Sequence, residues 1–225
     1  MAVSGGTLHG VSLSPFVRKV RAVLGIKGIE YDLVPVMPGA MDPAFLAKSP
    51  LSKIPVWEES GDPSEADFVL PDSSAICAYL ERAVPEPAVY PTDPRAFGKA
   101  LFWEEYGDTR IVEATAPPFI QRVVHTKVFK QPCDEEIVRR HIDEILPAVQ
   151  DQIEELFMAS GLANPKDPKV VDLSIWTSFV NLEHAEVELD QDRWPRLGSF
   201  VAGMNEHPIL GELIEEERRS VASLG

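Results

Sequence analysis

Cysteine is scarce in this sequence. Cys77 and Cys133 are the only two among 225 residues. They form no CxxC pair and have no histidine at a metal-ligand spacing, so neither a disulfide framework nor a zinc site is indicated. Flanked by Ile76 and Ala78, Cys77 reads as a small buried hydrophobe. Long apolar runs are missing too, since no segment approaches the roughly 18 consecutive apolar residues of a spanning helix. The opening residues Met1, Ala2, Val3, Ser4, Gly5 and Gly6 lack the charged start and apolar centre of a signal peptide. Positive charge is also in short supply: 21 Lys and Arg face 36 Asp and Glu, for a formal net charge of -15. A surface of that sign repels phosphates, which argues against nucleic acid and anionic membrane as partners. The expectation is a soluble, cytoplasmic protein, and a hydrophobic share of 44% is too high for a disordered chain even at this net charge.

Proline, by contrast, is abundant, with 20 residues, and it stands as punctuation between periodic segments. The densest group, Pro85, Pro87, Pro91 and Pro94, marks a linker over residues 85–94 between a domain at 1–84 and another at 95–225. Before the linker, strand-like and helical runs alternate. Thr7 to Gly10 reads as a strand, and Val17, Val20, Val23 and Leu24 at helical spacing predict a helix ending near Gly25 or Gly28. Ile29, Tyr31 and Leu33 alternate as in a half-buried strand. Ile54 to Trp57 and Phe68 to Leu70 predict two more, followed by a helix over Ser73 to Arg82. That order fits a small α/β domain.

After the linker the pattern is helical. Asp93 before Pro94 opens a helix expected to run to about Glu113 and to stop before Pro117 and Pro118. Ile137, Ile142, Ile145, Val149, Ile153 and Leu156 mark a second helix with a kink expected at Pro147. Two further runs follow, through Leu173 to Leu182 and through Leu197 to Met204. The acidity belongs to this half: residues 1–84 hold 7 basic and 10 acidic residues, whereas 85–225 hold 14 and 26.

Three short segments carry chemistry. Ser14 before Pro15, where the first strand hands over to a helix, is an N-cap sequence; a plain cap explains it, and so does a corner that holds an anion or a thiolate against the helix dipole. Lys53, Ile54, Pro55, Val56 and Trp57 place a proline in a strand. An ordinary edge-strand proline accounts for that, as does a cis Ile54-Pro55 bond that leaves the Ile54 main chain free to pair with an extended peptide. Asp72 and Ser73 begin a helix, either as a cap alone or as a binding corner for a ligand bearing both an ammonium and a carboxylate.

In order and separation these segments resemble the cytosolic glutathione transferases, and the Ser14, Pro15, Phe16, Val17, Arg18, Lys19, Val20, Arg21 run is similar to serine-type members of the plant and bacterial branches. The helical half adds Asp190, Gln191, Asp192, Arg193, Trp194, Pro195, Arg196 and Leu197, then His207-Pro208. The resemblance implies an α/β thioredoxin-like N-terminal domain followed by an all-α C-terminal domain. It further implies glutathione as co-substrate, no metal, and a homodimer. Carried over, Ser14 hydrogen-bonds the glutathione sulfur as the catalytic residue, and Ile54, with Pro55 as the cis-proline, pairs with the cysteinyl backbone. Asp72 and Ser73 hold the γ-glutamyl end, and Lys53 reaches for the glycyl carboxylate. A hydrophobic electrophile is expected near Leu13, Phe102, Tyr106, Arg110 and Phe119, each of which plain core packing also explains. Arg18, Lys19, Arg21, Lys48 and Lys53 are expected to lend positive charge around the site.

Departures from the pattern are specific. Lys169, Val170, Val171, Asp172 keep the aspartate of the family's capping box but lose the cap, for which Asp167 is a candidate. Ser49-Pro50 stands where Asn-Pro is common, and no lysine for the glycyl carboxylate stands near Ala40. Thiol exchange and maleyl-type isomerisation need a cysteine where Ser12 or Ser14 stands. A noncatalytic carrier or interaction module with the same fold is the alternative from another class. His184 and the Glu215 to Arg219 run read as surface or core-edge groups and a solvated helix face.

Overall fold

The computed structural model describes residues 3, 5–59, 67–160 and 164–224, without the side chains of 159 and 160. Met1, Ala2 and Ser4 of the N-terminal segment lie outside the described residues. The chain divides into two compact units, Met1–Phe97 and Gly98–Gly225.

The first unit is built on a four-stranded sheet of order β2-β1-β3-β4. Strand β1 (Gly5–His9) leads into helix α1 (Pro15–Lys27), which crosses back to β2 (Glu30–Val34), parallel to β1. A short helix α2 (Pro43–Lys48), which the apolar spacing does not announce, precedes β3 (Val56–Glu59). Strand β3 runs antiparallel to β1, and β4 (Phe68–Pro71) antiparallel to β3. Helix α3 (Ser73–Ala83) then packs against α1. Leu8, Val56 and Trp57 from the sheet and Val17, Val20, Leu24, Ile76 and Leu80 from these helices are fully buried. Each such side chain contributes about 1.5–3 kcal/mol. Cys77 is buried among them. Helix α1 stops where Gly28 takes a left-handed φ of 65°, a conformation that only glycine adopts freely, and its N–H caps Gly25 O at 3.1 Å.

The Pro-rich stretch is held by a buried cation. Lys27 Nζ donates to Glu81 Oε2 at 2.7 Å, to Val84 O at 2.7 Å and to Pro87 O at 3.0 Å. Glu81 in turn accepts from the N–H groups of Val89 and Tyr90. The end of α1, the end of α3 and residues 84–90 therefore share one charge pair, and the boundary between the compact units falls beyond it, inside helix α4 (Pro94–Tyr106).

In the second unit the helix opened by Asp93 does not stop at Pro117 and Pro118. A π-helical turn over Gly107–Ile111 continues α4 into α5 (Val112–Phe119), which contains both prolines, and a further π-helical stretch runs from Ile120 to Val128. Pro118 cannot donate to the carbonyl four residues back, that of Ala114. The ring of His141 makes up the loss, with Nδ1 3.2 Å from Ala114 O. The interruption expected at Pro147 takes the form of a π turn over His141–Ile145 between α6 (Glu135–Arg140) and α7 (Leu146–Ser160). Helix α8 (Val170–His184) is buried along nearly its whole length, and it comes so near the Gly107 turn that a Cβ there would meet Ser174 Cβ at 2.8 Å. Helices α9 (Pro195–Glu206) and α10 (Pro208–Ser223) complete the unit.

Three expectations need correction here. Asp167 does not cap α8: it holds the Lys169 ammonium at 2.7 Å, while Asp172 Oδ2 accepts from the Lys169 N–H at 2.9 Å. Of the two readings of His184, surface or core-edge, the surface one falls: the ring is buried, with Nε2 3.1 Å from Glu217 Oε2. Glu217 itself is fully buried, so the acidic run of α10 is not solvated all round.

Lys27→Met is expected to lower the stability of the protein by about 3 kcal/mol, because it leaves the Glu81 carboxylate and two carbonyls without their cation. Urea unfolding followed by circular dichroism measures this, and a midpoint unchanged from wild type would show that the network contributes nothing.

Candidate functional site

The pairing of the central strands decides where the three sequence segments go. His9, the last residue of β1, pairs with Val56, the first of β3, and Val56 pairs with Pro71, the last of β4. The turn leading to Ser14, the Ile54-Pro55 segment and the Asp72-Ser73 helix start therefore emerge at one end of the sheet. Two contacts tighten that convergence. The Asp72 N–H donates to Pro55 O at 3.3 Å. At Gly10 a Cβ would meet Val17 Cγ2 at 2.5 Å and Ile54 Cβ at 3.5 Å, so only glycine lets the turn pass so close to both.

Ser14 is the N-cap of α1, with Pro15 in the first turn. Its Oγ accepts from the Val17 N–H at 3.5 Å, a long cap. No described residue accepts the hydroxyl proton of Ser14, which leaves that donor available at the positive end of the helix.

The Ile54-Pro55 bond is cis. The Ile54 side chain is buried, yet its N–H and C=O find no backbone partner among the described residues. The segment is held from one side by Ser49, which is 1% exposed. Ser49 Oγ donates to Lys53 O at 2.7 Å and accepts from the Lys53 N–H at 3.1 Å. This role was not visible in the sequence, where Ser49-Pro50 stood out only as a departure from Asn-Pro. The side chain of Lys53 is exposed, and no described residue pairs with it.

Asp72 caps α3 through Oδ1, which accepts from the Ala75 N–H at 3.0 Å. Its second carboxylate oxygen has no partner among the described residues. Its φ of 81° lies in the left-handed region that non-glycine residues avoid, at a cost of about 1–3 kcal/mol. Such strain collects where a side chain must be aimed at something. Ser73, at the first position of α3, is buried.

The wider ring of cations differs from expectation. Arg18, Lys19 and Arg21 lie inside the unit: Lys19 Nζ donates to Ser74 Oγ at 3.1 Å and Arg21 Nε to Tyr31 Oη at 2.8 Å. Helix α1 is covered on nearly every face, so its long side chains are enclosed with it. Lys48 Nζ lies 2.5 Å from Glu58 Oε2, which also takes His9 Nε2 at 2.7 Å. Of the five, Lys53 alone is exposed.

The residues expected to meet an electrophile are divided between the units. Leu13 is half-buried in the first. In the second, Phe102 is 61% exposed, and Trp103 lies edge-on to both Phe102 and Tyr106. The Tyr106 hydroxyl donates to Gln152 Oε1. Burial raises the Tyr106 phenol above its ordinary value, with the Arg110 cation opposing. Arg110 is exposed, whereas Phe119 is 7% exposed and belongs to the core of its unit. Among the described residues no three His, Cys, Asp or Glu side chains converge as a metal site would require.

The Glu58 cluster generates a pH prediction. Its hydrogen bond from Lys48, ahead of the opposing effect of burial, holds the carboxyl below its ordinary value of 4.5. A depressed carboxylate adds stability that is complete above the unfolded-state value and lost as pH falls through the folded-state one. Glu58→Gln is therefore expected to be less stable than wild type at neutral pH and to lose less on acidification below 4.5. Thermal melts at pH 7 and at pH 3 compare the two, and parallel losses would remove Glu58 as the cause.

Comparison with known proteins bears on the arrangement. Residues 8–88 match the model of the glutathione S-transferase N-terminal domain. Over 211 residues the chain is 25% identical to glutathione S-transferase omega-1 of Mus musculus, covering 90% of this chain and 77% of that one. A crystal structure of a glutathione S-transferase from Rhodospirillum rubrum superposes with a TM-score of 0.78 at 20% identity, over 92% of this chain and 91% of the other. A structure of glutathione S-transferase-I bound with lactoylglutathione gives 0.76, also at 20% identity, over 98% and 99%. At that identity the two structures speak for the fold: a thioredoxin-like sheet with a helical unit behind it in sequence. The domain match spans all three segments that meet at the end of the sheet, and the relative extends along most of the chain. On these grounds residues 8–88 match a glutathione S-transferase N-terminal domain, and the chain is similar to glutathione S-transferases along most of its length.

Proposed function

We propose that the protein is a glutathione transferase that joins the glutathione thiolate to a hydrophobic electrophile, with Ser14 stabilising the thiolate. The observation that carries this reading is the meeting of three different donors and acceptors at one end of the sheet. They are a helix-start hydroxyl with a free proton, an unpaired main-chain N–H and C=O at Ile54, and an aspartate with an unused oxygen at Asp72. An extended γ-glutamyl tripeptide supplies the complement of each: a sulfur, a backbone to add as a strand, and an ammonium.

The chemistry asks little of the protein. A thiol titrates near ~8.5, and lowering it by ~2 units requires about 2.7 kcal/mol. A hydroxyl donating to an anion supplies about 1.5–3 kcal/mol and a helix N-terminus about 0.3–1 kcal/mol. Ser14 keeps its proton throughout and acts as a hydrogen-bond donor, not as a base; the sulfur attacks the electrophile. Asp72 takes the γ-glutamyl ammonium, Ser73 the neighbouring carboxylate, and Lys53 the glycyl carboxylate. In the helical unit the electrophile is assigned to Phe102, Tyr106 and Arg110. Action in the cytoplasm, as a homodimer, follows from the family resemblance.

Ser14→Ala is expected to lower kcat/KM with an aryl halide about 10- to 100-fold while glutathione still binds, and to raise the pKa of bound glutathione. Turnover unchanged in a variant that still binds would overturn the role of Ser14. Asp72→Ala is expected to weaken glutathione binding about tenfold or more. Retention of the wild-type protein on glutathione resin without turnover of any electrophile would favour the carrier.

A further inference from the structure

The helical unit contains a cavity of about 560 Å³ that the transferase reading does not use. Its walls come from α7, the end of α8, the following loop and α9. Phe179, Leu182 and Val201 are among the apolar groups lining it, and Glu183, Glu186 and Glu188 supply three carboxylates. Among the described residues the wall holds no lysine, arginine or histidine. Glu183 is already neutralised, since Arg218 Nε donates to it at 2.8 Å and Asn205 Nδ2 at 3.0 Å. Glu188 has no such partner among the described residues.

A second observation sets this apart from an acidic surface. Gln150 on α7 is 3% exposed, yet no described residue hydrogen-bonds its side-chain amide. It lines this cavity and also a neighbouring one of about 310 Å³, and Val187 and Glu188 are common to both. The side chain is enclosed, but its amide is not among the sealed-in unpaired polar groups, so it opens onto the cavity, where a ligand can take up its hydrogen bonds in place of water.

The chemistry of the wall limits that ligand. Anions are disfavoured by three carboxylates in the wall, since the nearby cations are already engaged: Arg218 by Glu183, and Arg193 of the neighbouring cavity by Asp151. A metal ion finds no convergent set of His, Cys, Asp or Glu among the described residues. The volume and the apolar wall suit an organic body of several carbons. We propose that this cavity binds a protonated organic amine: the ammonium lies between the Glu188 carboxylate and the Gln150 amide oxygen, and the apolar part rests on Leu182 and Val201.

The test uses three probes that differ in charge on one skeleton: 1-naphthylmethylamine, 1-naphthalenemethanol and 1-naphthoate. Isothermal titration of the full chain is expected to show one saturable amine site, the alcohol binding about tenfold more weakly and the carboxylate not at all. Glu188→Gln, at an exposed position, is expected to weaken the amine about tenfold without changing the melting temperature. Ala202→Trp is expected to abolish binding by filling the space, and Gln150→Leu to weaken it. Equal binding of amine and alcohol, an amine affinity indifferent to Glu188→Gln and Ala202→Trp, or displacement of the amine by calcium at the same site would each overturn the proposal.

Discussion

Everything proposed for the first unit depends on one register. Val56 pairs with His9 on one side and with Pro71 on the other, so three segments distant in sequence begin or end at the same edge of the sheet. Main-chain hydrogen bonds set that register, and the full burial of Leu8, Val56 and Trp57 protects it. A one-residue slip would turn those side chains to the opposite face. Gly10 and the Asp72-to-Pro55 hydrogen bond refine a convergence that the ladder already imposes.

Charge is used in two different ways along this chain. In the first unit the cations are mostly internal fasteners: Lys27 binds the ends of two helices to the Pro-rich segment, and Lys48 meets Glu58. Such side chains hold geometry and are not free to attract a substrate. Lys53 differs because its backbone, not its ammonium, is what Ser49 holds. In the helical unit the excess is acidic, and the cavity by Glu188 shows how that excess can be local and directed as well as a property of the whole surface.

The helical unit tolerates prolines where a sequence pattern argues for a stop. Its central helices pass through π-helical turns on either side of α5, and the carbonyl released by Pro118 is taken up by His141 from another segment. That compensation is tertiary. A side chain that comes from beyond the end of the helix supplies the missing bond, which no local rule about proline anticipates.

The sequence by itself determined a good deal. Ser14-Pro15, Asp72-Ser73 and Asp93-Pro94 mark helix starts because capping is a local interaction, and the alternation at Ile29 to Leu33 marks a strand because its period is local too. Their order also sufficed to suggest the family, and with it the fold. Only the tertiary structure decided that Arg18, Lys19 and Arg21 face inward, since their enclosure comes from elements packed around α1. It alone revealed that Ser49 holds the Ile54 segment, that His184 meets Glu217, and that Gln150 is buried beside a cavity. Each of these depends on which distant residue arrives as a neighbour, and that is settled by packing across the fold.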